Sequence, residues 1–164
     1  METVIAQQNP VSVAPDTFEV SAEPIILIAE LHGALAICLH DEGRAIGGLL
    51  HLRFLGDSGR LSDATDNALS SVLSVLDRFK RAVLGNGTKR DEVQARIIAH
   101  ALPPLATDAP SASLVDLIRA DFADDRTICG SQILRRAEPV RVSFAPVTGR
   151  IKVSREDEAG LRLR

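Results

Sequence analysis

The chain has 164 residues, 45% of them hydrophobic and 25% charged, a balance that excludes wholesale disorder and suits one compact domain. Lys plus Arg number 19 against 22 Asp plus Glu, and a formal net charge of -3 excludes a strong electrostatic draw toward nucleic acid or anionic lipid. Five Phe with no Tyr or Trp leave little for a base-stacking platform, so the core must be aliphatic.

Gln7, Gln8, Asn9, Pro10 and Pro15 mark residues 1–16 as a poorly ordered arm. Residues 17–156 are expected to form a single domain, and 157–164 a charged, frayed tail. Ile25 to Leu31 is a β-branched apolar run of strand length, whose near-continuity implies burial on both faces. A second run, Ala34 to Leu39, ends in the turn Asp41-Glu42-Gly43, and a third spans Ile46 to Phe54 before Gly56 to Gly59 break the chain. Between Asp63 and Leu84 the residues Leu69, Val72, Leu73, Leu76, Phe79 and Val83 recur at helical intervals. Asp63 is placed to cap that helix, and Gly85-Asn86-Gly87 to stop it.

Val93 to Ala99 reads as a strand, followed by a loop through Pro103, Pro104 and Pro110. Ser111 or Ser113 then caps a short helix with Leu114, Leu117, Ile118 and Phe122 inward. Val140, Val142 and Phe144 alternate with polar residues, Pro146 to Gly149 turn the chain, and Ile151 and Val153 continue the pattern, a hairpin. Strands first and last with helices between them make the fold α+β, helices packed on sheet.

Candidate chemistry is sparse. Cys38 and Cys129 are too few for a disulfide framework, although one long-range bridge remains open. His32, His40, His51 and His100 lack the spacing of a zinc helix, so neither a metal nor another cofactor is expected. Asp121, Asp124 and Asp125 read as a solvated charged face, and Arg135-Arg136 as ordinary surface charge. Gly85-Asn86-Gly87 lacks the Lys of a phosphate loop. With no apolar run near the ~20 residues of a membrane span, and no basic flank at the N-terminus, a cytoplasmic location without membrane insertion is the default.

The segment L-H-G-A-L-A-I-C-L-H-D-E-G-R-A-I-G-G-L-L-H-L, Leu31 to Leu52, resembles the signature of the CheD family of chemoreceptor glutamine deamidases. Val140 to Val153, with its Thr148-Gly149-Arg150 turn, is similar to that family's closing hairpin. The resemblance runs from about Phe18 to Arg155 and implies a layered α/β sandwich of mixed and antiparallel sheets. It also implies a Cys–His pair with a supporting Thr, in which a thiolate attacks a receptor glutamine's carboxamide and water resolves the thioester to glutamate. Aligned through Asp41 and Gly47-Gly48, His51 falls on the family's catalytic base. Ala34 stands at the nucleophile position and Ile28 at the supporting Thr.

The resemblance therefore implies a binding or regulatory domain without the deamidase nucleophile, its partners being chemoreceptor cytoplasmic helices or a CheC-type phosphatase. Three other readings stay open: an amidohydrolase with Cys38 or Cys129 as displaced nucleophile beside His51 or His32, a metal cleft at His32 and His51, and an unrelated interaction module. On one strand Cys38 shares a face with position 34 but lies about 13 Å along it. A buried Cys there is more often a core side chain.

Overall fold

Alternating burial sorts the strands into two sheets with an apolar layer between them. The computed structural model describes residues 9–53, 66–85, 93–102 and 110–155. Strands β1 (Pro10–Ser12), β3 (Ile26–Leu31), β8 (Val140–Ala145) and β9 (Arg150–Arg155) form a four-stranded sheet in the order β1-β3-β8-β9. Strands β2 (Thr17–Ser21), β5 (Ile46–Arg53), β4 (Ala34–Asp41), β6 (Val93–Ala101) and β7 (Ile128–Arg135) form the second, in the order β2-β5-β4-β6-β7. Among the described residues only the β1–β3 and β6–β7 pairs are parallel. Helices α1 (Asp66–Leu84) and α2 (Pro110–Asp124) both pack on the outer face of the five-stranded sheet. The α+β expectation holds, and among the described residues no helix is long and apolar enough to cross a membrane.

Two cores result. Leu35, Ile37 and Leu39 of β4 join Leu76, Phe79, Ile118 and Phe122 under the helices. Ala34, Ala36 and Cys38 of the same strand join Leu27, Ala29, Val142 and Phe144 between the sheets. Strand β4 is thus buried on both faces, which suits its unbroken apolar run. Strand β3 departs from that expectation. Its inner face is buried, but Ile26 and Ile28 are only half-buried and Glu30 is exposed, because neither helix among the described residues packs on the outside of its sheet.

Several boundaries differ from the sequence reading. Residues 10–12, expected in the arm, pair with β3, and Val13 is buried between the sheets; a proline is tolerated where a strand begins at a sheet edge. Helix α2 starts at Pro110, ahead of both serines, since a first-turn proline lacks only an N–H that has no helical partner anyway. Leu73 is 42% exposed rather than part of the buried stripe, and Val75 takes an inward place instead. Strand β7 was not anticipated at all. Asp63 and residues 156–164 lie outside the described residues.

Candidate functional site

The even-numbered side chains of β4 face the inter-sheet layer, and the neighbouring strands set what they meet. Ala34 pairs with Arg53 on β5 and with His100 on β6, while Ala36 pairs with His51. His51 is therefore the diagonal neighbour of Ala34 on one face, at a Cβ separation of about 7 Å. Arg53 is drawn aside by Asp16, whose carboxylate accepts from its guanidinium at 2.6 Å. Ile28 faces the other way, since Leu27 and Ala29 fill the inner face of β3. Ala34 and His51 are brought together; Ile28 is not.

The buried His51 ring donates from Nδ1 to the carbonyl of Val13 at 2.9 Å, because a carbonyl can only accept. That bond selects the tautomer and leaves Nε2 as the basic nitrogen. His100, which the sequence reading did not place in the site, accepts the Gly33 N–H on Nδ1 at 3.0 Å. Its buried Nε2 has no hydrogen-bond partner among the described residues, although the carbonyls of Arg136 and Glu138 stand near it. Burial holds this imidazole below the usual histidine range, and the neighbouring His32 and Arg136 push the same way. The His32 and His100 rings lie 5.7 Å apart. Among the described residues no three His, Cys, Asp or Glu side chains are grouped to hold a metal.

The other end of β4 has different contents. Burial pushes the Cys38 thiol up to about 12, with nearby Arg96 opposing. His40, the next side chain along that face, donates from Nε2 to the Val147 carbonyl at 3.1 Å. Its other nitrogen rests on Gly149, where φ is +80° and a Cβ would sit 2.5 Å from His40 Nδ1. The β8–β9 turn thus clamps the ring, and the other imidazole diagonal to Cys38 on that face is His51, opposite Ala36. Cys129 pairs with Ala95 and points toward the helices; burial raises its thiol too, with Arg119 opposing. Both cysteines are free thiols.

The acidic cluster has a structural task. Asp121 and Asp125 both accept from Lys80 at 2.5 Å, which joins α2 to α1 and corrects the expectation of a merely solvated face. Lys80 also lies 5.3 Å from the centre of the Phe122 ring.

No protein-family model matches the chain. It is 25% identical over 147 residues, 88% of its length, to a probable chemoreceptor glutamine deamidase CheD of Burkholderia vietnamiensis. Counterparts from Burkholderia orbicola and Burkholderia thailandensis are 24% identical over spans of the same length. The chain is thus similar to CheD proteins over most of its length, at a divergent level of identity. It spans 60% of the length of the first two CheD relatives and 63% of the third.

Proposed function

We propose that this CheD-like domain has given up glutamine deamidation and acts as a binding or regulatory protein for chemoreceptor cytoplasmic helices or a CheC-type phosphatase. The observation that carries the reading is the methyl group of Ala34 set diagonally beside a correctly held His51. Where the family resemblance puts the nucleophile stands a methyl group, beside a ring whose hydrogen bond defines its tautomer. A methyl cannot attack an amide. Binding a receptor helix needs the surface around the cleft and not the thiol.

The alternative is an active deamidase with a displaced nucleophile. Cys38 supports it as the other diagonal neighbour of His51 across the strand pair, but burial raises its thiol to about 12 and keeps it protonated. Cys129 lies on the opposite face of the sheet from His51.

Peptide mass spectrometry of a glutamine-bearing chemoreceptor fragment tests both readings. The unaltered protein is expected to bind the fragment at micromolar concentration and convert no amide to acid, and Ala34→Cys, alone or with Ile28→Thr, to restore some conversion. Conversion by the unaltered protein that is abolished by thiol alkylation would overturn the inactive reading. Failure to bind either a receptor fragment or a CheC homologue would remove the binding role.

A further inference from the structure

A cavity of about 410 Å³ opens between the two sheets at the end of β4 that carries Cys38 and leads to Glu42, away from Ala34. Its apolar side includes Cys38, Phe144 and Ile151, and Gln94, Arg96 and Glu42 join His40 and Thr148 on its polar side. Strand register explains why these meet. Arg96 lies opposite Cys38 on one side and Gly130 on the other. A Cβ at Gly130 would sit 3.3 Å from Arg96 Cδ and 3.6 Å from Nε, so the bare glycine lets the arginine stem lie close across β7. The guanidinium is near enough to the cavity floor to pull on the Cys38 thiol.

Glu42 follows the last residue of β4, four positions along from Cys38, so it enters from the opposite end of the same wall. Among the described residues no ion pair joins Arg96 to Glu42, or either of them to any other side chain. Arg96 and Glu42 put opposite charges on the wall of one cavity, which gives it a directed field. A simple anion entering it meets Arg96 but is repelled by Glu42, and a simple amine meets the reverse. A molecule carrying both charges a few bonds apart satisfies both groups. The volume lies at the small end of ligand pockets.

We propose that this cavity binds the zwitterion of a free α-amino acid, its carboxylate forked on Arg96, its ammonium on Glu42 and its side chain against Cys38, Phe144 and Ile151. The planar guanidinium suits a carboxylate in two-point contact. Gln94 supplies an amide to either end. The apolar floor favours an aliphatic side chain such as that of leucine. Nothing in this assignment rests on the receptor-binding reading, which concerns the other end of β4.

Calorimetric titration of the full chain with L-leucine, 4-methylpentanoate (no ammonium) and isoamylamine (no carboxylate) tests it. Leucine is expected to bind, and each truncated analogue to bind at least about tenfold more weakly, as is leucine to Arg96→Gln and to Glu42→Gln. Glu42 and Arg96 are exposed, so both variants should fold, and a thermal melt checks that they do. Equal binding of leucine and 4-methylpentanoate, with Glu42→Gln without effect, would overturn the zwitterion assignment in favour of a plain carboxylate site. Absence of binding by all twenty L-amino acids at millimolar concentration would overturn the site itself.

Discussion

At one end of the inter-sheet layer, His51 keeps a basic nitrogen and faces the methyl of Ala34; at the other, the thiol of Cys38 neighbours His40, whose ring the β8–β9 turn has already claimed. Each end holds half of a thiol hydrolase. Register sets Cys38 as well as Ala34 two residues from Ala36, the partner of His51, so each is a diagonal neighbour of that ring at about 7 Å between Cβ atoms. The lesson is that an inventory of reactive residue types says little until strand register states which ones share a point.

The sharpest way to break this contrast is to place a thiol at each end. Positions 34 and 38 are equally buried, so Ala34→Cys should react with iodoacetamide at about pH 7.5 faster than Cys38 only where His51 takes its proton. Equal rates, read by peptide mass spectrometry, would mean that His51 does not favour position 34 over Cys38. A second test closes the Cys38 end. Gly149→Ala puts a side chain at φ +80° and into His40, and should cost about 2–4 kcal/mol in urea unfolding. His40→Ala in the same chain should return the steric part and leave the backbone strain. NMR signals of the His51 ring should be unmoved.

Much of the architecture could be read before any coordinates, because β3, β4, β5, α1 and the β8–β9 hairpin each carry a clear period. Strand β7 escaped for a physical reason. It is an edge strand with Ile128 70% exposed and Gly130, Ser131 and Gln132 at its centre, so its pattern of burial is weak. Strand β1 was hidden by the prolines around it. His51 was legible through its motif, but His100 opposite Ala34 and Arg96 opposite Cys38 are facts of register. No local pattern in residues 93–101 announces which residue of β4 each will meet.

Acid should sharpen the contrast from the His51 side. His100 is held neutral by burial, so the unfolded chain binds its proton first, near pH 6.5. Stability should therefore be full above that value and fall as pH drops through it toward the lower folded value. Comparing urea midpoints at pH 8 and pH 5.5 checks this, and His100→Gln should lose that part of the fall. The smallest effect is expected outside both ends. Burial pulls the Lys80 ammonium down, but its bonds to Asp121 and Asp125 outweigh that and raise it overall. Its stabilisation should persist below about pH 10.4 and fade as pH rises through the folded value. Lys80→Met should cost about 1 kcal/mol at neutral pH and alter neither thiol's reactivity.

The group that orients His51 is the main-chain carbonyl of Val13. Every amino acid presents a carbonyl, so substitution at position 13 cannot delete it while the strand stays in place. Side chains at positions 34 and 28 have no such protection. A thiol placed at position 34 would therefore meet a ring that chain geometry already holds, a change of one codon.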